Sequence, residues 1–217
     1  MQIFMQILEI VGTVAFAISG AMTAIRRRLD LFGVLFLGVI TAVGGGALRD
    51  LMIGVTPPRC FRDSTYLLIG LFVALVCFLP VFRKPVAHHQ KVFDVTLFAM
   101  DSLGLAAFTI TGIQAGIQAQ PQASPVLLVF VGVLTATGGG VLRDVLAGTT
   151  PYIFVKHVYA TASAAGAVLF VLLGVFGVDH MISGIISIVA MFILRCLAAY
   201  YHWNLPRAEE EQVDSTR

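Results

Sequence analysis

Thr41-Ala42-Val43-Gly44-Gly45-Gly46-Ala47-Leu48-Arg49-Asp50 returns, at an offset of 94, as Thr135-Ala136-Thr137-Gly138-Gly139-Gly140-Val141-Leu142-Arg143-Asp144. Both copies sit inside long apolar runs. Both are followed by Gly-x-Thr-Pro, at 54–57 and 148–151. A glycine in a helix costs about 1 kcal/mol relative to alanine, so three in a row need a reason. In a bilayer, a backbone group freed by a helix break must find a partner or line a wet cavity. A triple glycine at membrane depth therefore predicts either a kink that opens a path or a close helix contact. Its recurrence at matched positions, each time with Leu-Arg-Asp behind it, favours the path, because paired glycine-interrupted segments mark transport sites.

Composition agrees with membrane depth. The chain has 217 residues, 58% hydrophobic and 12% charged, with a mean hydropathy of +0.92. Soluble domains average about 25% charged residues. The net charge of +2 says nothing about nucleic acid, but no basic stripe with interleaved aromatics occurs, so no nucleic-acid partner is expected. Cys60, Cys77 and Cys196 are isolated and form neither a metal motif nor a disulfide framework. No Ser-His-Asp, HExxH or P-loop pattern occurs, so no enzymatic activity, cofactor or metal is expected.

A spanning helix needs about 20 apolar residues. Seven such stretches are predicted, near 3–23, 31–53, 65–82, 92–113, 125–147, 158–176 and 180–201. A polar loop is expected from Gln114 to Ser124. The repeat reaches beyond the glycines: Gly12 matches Gly104, Glu9 matches Asp101, Ser19 matches Thr111, and Tyr66 weakly matches Tyr159. The first apolar run thus matches the fourth and is read as a retained span rather than a cleaved signal. The predicted fold is an all-α membrane protein of two three-helix repeats, 1–88 and 89–178, a seventh span at 179–203, and a polar cytoplasmic tail at 204–217. Three spans per repeat is an odd number, so the second repeat is inverted relative to the first. Arg26, Arg27, Arg28, Arg83, Lys84, Lys91, Lys156 and Arg207 fall on one side and Arg59 and Arg62 on the other. This places the N-terminus outside and the C-terminus in the cytoplasm.

Phe32 to Gly44 is about 18 Å of helix and Pro125 to Gly138 about 20 Å, which puts both triple glycines in the middle third of a roughly 30 Å hydrocarbon core. Freed carbonyls of Gly44, Gly45, Gly46, Gly138, Gly139 and Gly140, with the hydroxyls of Thr41, Thr135 and Thr137, form a candidate pore. They suit a partly dehydrated K+ or Na+ ion bound near the kinks, or a zwitterion such as glycine. Arg49, Asp50, Arg143 and Asp144 are charged supports. Helix neighbours i and i+1 do not face each other, so these four are expected to bridge to other helices. Asp101 is a further intramembrane acid, and Glu9 a second nearer its helix start. Arg195 is expected to snorkel to the membrane surface, and Lys156 with His157 to meet an anionic lipid headgroup.

Two three-helix repeats plus a seventh span, with Gly-Gly-Gly-x-x-Arg-Asp in the second and fifth, resemble the trimeric intracellular cation (TRIC) channels. The bacterial branch, small inner-membrane proteins with a "glycine transporter" domain, is the nearest match, over residues 3–201. The resemblance implies a homotrimer in the inner membrane with lipids around it. It implies one pore per protomer, permeable to K+ and Na+ and lined by the kinked second and fifth spans. The Lys-Glu-Val signature of the animal channels does not occur here; the nearest region holds Lys91-Val92-Phe93-Asp94. The alternative left open by the residues themselves is a secondary transporter of a small amino acid such as glycine.

Overall fold

The computed structural model describes residues 1–155, 158–201 and 203. Lys156, His157, Arg207 and the whole 204–217 tail lie outside them. Every element is helical: α1 (Gln2–Arg26), α2 (Leu31–Met52), α3 (Arg59–Arg62), α4 (Thr65–Phe78), α5 (Pro80–His88), α6 (Gln90–Ala119), α7 (Pro125–Leu146), α8 (Tyr152–Val155), α9 (Tyr159–Val175) and α10 (His180–Tyr200). Five of these, α1, α2, α6, α7 and α10, are long and apolar enough to cross a membrane. The count is six if α4 and α5 form one span, and α9 is a shorter apolar helix of 17 residues.

Local chemistry sets the ends. Asp30 caps α2 by accepting from the Gly33 N–H at 2.8 Å. Ser124, ahead of Pro125, caps α7 from the Leu127 N–H, and Asp179 caps α10. Gly54 and Gly148 close α2 and α7 at φ +76° and +65°. The next N–H groups, of Val55 and Thr149, reach back to the Asp50 and Asp144 carbonyls, both at 2.8 Å. That is a Schellman stop, for which glycine is the low-cost residue. The expected third span, 65–82, is broken: α4 and α5 meet at 73°. Leu79 precedes Pro80, which forces it into the extended region (ψ 143°) and restarts the helix in a new direction.

The core holds small residues where helices meet and large ones between. Ala21, Ala24, Val34, Leu37 and Ala74 join α1, α2 and α4. Ile110, Ile113, Ala167, Phe170 and Met191 join α6, α9 and α10. Lipid tails are as apolar as leucine, so it is this packing, rather than burial from water, that holds helices together in a bilayer. The outer faces carry Ile3, Phe72, Val126, Phe176 and Ile182, all exposed. Such a continuous apolar exterior marks a membrane protein.

Candidate functional site

The repeated Arg-Asp pairs form the same unit twice. In α2, the Arg49 Nε and Nη2 donate to Asp50 Oδ1 at 3.0 and 2.9 Å, while Asp50 Oδ2 accepts the Arg59 N–H at 2.7 Å where α3 begins. In α7, the Arg143 Nε donates to Asp144 Oδ1 at 2.8 Å, and Asp144 Oδ2 accepts the Tyr152 N–H at 2.7 Å where α8 begins. Adjacent residues therefore do pair, contrary to the expectation for i and i+1. The arginine side chain is long enough to fold back onto its neighbour's carboxylate.

The helices carrying the glycines are unbroken. α2 runs continuously through Gly44, Gly45 and Gly46, and α7 through Gly138, Gly139 and Gly140. Neither helix is interrupted at its glycines, so the expected break is not there. The glycines serve contact instead. A β-carbon on Gly45 would overlap the Thr135 carbonyl, and one on Gly139 would overlap the Thr41 carbonyl. The two helices thus cross backbone to backbone. Thr41, Thr135 and Thr137 each donate their hydroxyl to the carbonyl four residues back, at 2.6, 2.6 and 2.8 Å.

α1 and α6 cross antiparallel beside them. Gly12 faces the Phe108 ring and Gly104 the Phe16 ring, with the two rings edge to face at 5.1 Å. On one side of this crossing lies a sealed ionic cluster. Asp101 and Arg143 pair at 2.6 Å with side chains 0% and 1% exposed, and Ser19 from α1 bonds both. Arg195 does not snorkel. It is 5% exposed, donates to Ser102 Oγ at 2.8 Å, and stacks on Phe98 and Tyr159 at 5.0 and 4.7 Å. The adjoining Tyr159 hydroxyl is buried without a hydrogen-bond partner among the described residues.

On the other side lies a cavity of about 600 Å³. Glu9 and Thr13 line it from α1, Gly46, Arg49 and Asp50 from α2, and Thr111, Gln114 and Gln118 from α6. Arg59, Cys60, Asp63 and Tyr66 close its flank, and it reaches Thr135 at the α2–α7 crossing. The Tyr66 hydroxyl donates to Glu9. Glu9, Asp50 and Asp63 share these walls with Arg49, Arg59 and the Met1 amine, so both signs of charge face the cavity.

The family model for glycine transporters matches residues 6–81 and 98–174. The chain belongs to this family. Its solved relatives are TRIC channels. One, a TRIC cation channel solved to explain conductance, is 35% identical with a TM-score of 0.83, and the match covers 96% of this chain and 98% of that one. Another, the TRIC trimeric intracellular cation channel orthologue from Rhodobacter sphaeroides, is 34% identical with a TM-score of 0.83, over 92% and 98%. The inner membrane protein YadS of Escherichia coli K12 is 36% identical over 200 residues, 92% of this chain and 93% of that one. A membrane protein of Deinococcus radiodurans is 45% identical over 162 residues, 74% and 72% of the two chains.

In this TRIC homologue the predicted site residues are divided among several places. Gly46, Arg49, Asp50 and Thr135 line the cavity. Gly45, Gly139 and Thr41 form the backbone crossing. Gly44 and Gly138 pack against Leu142 and Leu48 of the opposite helix. Thr137 is buried on α7, and Asp101, Arg143 and Asp144 belong to the sealed cluster. Gly140 lies between the Tyr159 hydroxyl and the Arg143 Nη2, which a β-carbon there would meet at 3.3 and 3.8 Å. Gln114 and Gln118, expected in a loop, are instead helical and face the cavity. Their i, i+4 spacing, with Thr111 one turn before, is the sequence signal that would have found them.

Proposed function

We propose that this chain is a cation channel that conducts K+ through each protomer of a homotrimer. The path descends the cavity between α1, α2, α6 and α7, and the Arg143 cluster closes its far end. The observation that carries this reading is the cavity itself. Its lining is polar, with Arg49 held on Asp50 and Glu9 in no ion pair among the described residues, and it reaches the central helix crossing at Thr135. Acidic and carbonyl oxygens in such a passage favour cations. The likeness to solved TRIC cation channels over nearly the whole chain supports it. Of the predicted pore residues, Gly46 and Thr135 line the way, together with the charged supports Arg49 and Asp50, while Gly44, Gly45, Gly138, Gly139, Gly140, Thr41 and Thr137 belong to the helices that frame it.

The accompanying architecture is seven spans, with α4 and α5 as one bent span and α9 as the sixth. Residues 1–88 and 89–178 form inverted repeats and α10 is the added helix. The arginine-rich turn after α1 and the basic α5 support an N-terminus outside and a C-terminus in the cytoplasm. The cavity then opens outward in the inner membrane, and the sealed cluster faces the cytoplasm. The test is a planar bilayer under a K+ gradient. Unitary currents that persist without glycine and reverse near the K+ potential are expected. Electrical silence together with saturable glycine uptake into liposomes would replace the channel by a transporter.

A further inference from the structure

The Arg143 guanidinium is a cation the chain supplies to itself. It rests on Asp101 Oδ1 and Ser19 Oγ, an acid from α6 and a hydroxyl from α1. From the ring-on-glycine crossing of Phe16 and Phe108, the same antiparallel register runs outward in the other direction. There it sets Glu9 of α1 opposite Thr111 of α6, and Gln6 opposite Gln114. Glu9 and Thr111 are the residues that the internal repeat matches to Asp101 and Ser19, with the helices exchanged. Gln6, Glu9, Thr111 and Gln114 all line the cavity.

The two ends differ in what answers the acid. Arg143 spans both Asp144 and Asp101, at 2.8 and 2.6 Å. Arg49 is turned onto Asp50, and Glu9 takes the Tyr66 hydroxyl. Thr111 is 3% exposed, yet its Oγ1 has no hydrogen-bond partner among the described residues, and neither has Gln114 Oε1 one turn along. Unpartnered buried oxygens are costly. At the Arg143 end the unpartnered Asp101 Oδ2 still belongs to an ion pair, whereas Thr111 and Gln114 share the cavity with Glu9, which has no guanidinium partner among the described residues.

We propose that Glu9, Thr111 and Gln114 form a binding site for a free monovalent cation, at the position that corresponds to the Arg143 guanidinium in the other half. One carboxylate, one hydroxyl and one amide oxygen suit a singly charged ion that keeps part of its water. A divalent ion at an all-protein site draws on more carboxylates. The site rests on the reading of the cavity as a cation path and adds where the ion stops.

The test is direct binding. Crystals of the full chain soaked in Tl+ should show an anomalous peak between Glu9 and Thr111 that disappears in Thr111→Val. A peak elsewhere in the cavity with none there overturns the site. In detergent, K+ should raise the melting temperature over equimolar N-methylglucamine, with half-saturation at least tenfold weaker in Glu9→Gln and Thr111→Val. Unchanged half-saturation in both overturns it. Should Glu9→Gln fail to fold, Tyr66→Phe frees the carboxylate and is expected to tighten binding, and weaker binding there counts against the site. Liposome flux separates the two readings. Binding without flux keeps the site and removes the channel, whereas flux in Thr111→Val with no Tl+ peak in the native protein does the reverse.

Discussion

Asp101 and Arg143 form a 2.6 Å ion pair with almost no access to solvent, and each depends on the other. Removing one partner of a buried pair costs about 3–5 kcal/mol when the other charge is left alone, and Arg143 without Asp101 keeps only the Asp144 carboxylate. Asp101→Ala should therefore lower the melting temperature sharply. Asp101→Ala with Arg143→Met should cost less than the sum of the two single changes, although Asp144 then keeps only the Tyr152 N–H. Thermal unfolding of the purified protein checks this, and strict additivity of the two single changes would count against the pairing.

The same double substitution tests the closed end of the path. With the cluster gone, K+ flux into liposomes should exceed that of the unsubstituted protein. Equal flux from an equally folded protein would mean that the cluster does not limit conduction.

Gly45 and Gly139 should tolerate no methyl group. Alanine at either meets a backbone carbonyl that has no side-chain freedom to yield, so a loss of about 1–3 kcal/mol or more is expected from overpacking. Gly174, also helical, has open space where a β-carbon would sit, with nothing within 4 Å. Gly174→Ala should be neutral or gain up to about 1 kcal/mol from helix propensity. Unfolding midpoints of the three variants give the ranking, and similar values for all three would refute it.

Cys60 reports on the cavity. Burial pushes its thiol up, and the nearby Asp50 carboxylate adds to the shift. Only the thiolate reacts. In a background with Cys77 and Cys196 replaced by serine, labelling by a charged methanethiosulfonate should be slow at neutral pH. It should keep accelerating above the pH of about 8.5 at which an ordinary thiol is half ionised. Labelling should also reduce K+ flux. A rate that levels off at the pH of a free thiol would refute the shift.

Much of the fold is legible in the sequence. The second span, expected at 31–53, is Leu31–Met52, because Asp30 and the Gly54 stop announce its ends chemically. The site is less legible. Gln114 and Gln118 read as a loop because polarity marks a wet helix face and a loop alike, while glutamine itself favours helix. The triple glycines read as a break because propensity counts only their cost. The facing helix, which makes a bare backbone the one surface that fits, is invisible in a single chain. Arg195 reads as a snorkelling terminus, since nothing in its own segment reveals the Phe98 and Tyr159 rings that receive it.

The reciprocal seats at the centre also limit how the molecule can move. Gly45 sits on the Thr135 carbonyl and Gly139 on the Thr41 carbonyl, two fixed points about one helical turn apart. Sliding α2 along α7 would drive Cα atoms into carbonyl oxygens at both points at once. Rolling about the line through them would not. That line runs along the helices, so the pair behaves as a hinge, and a roll that opens the cleft on one side of the α2–α7 contact closes it on the other.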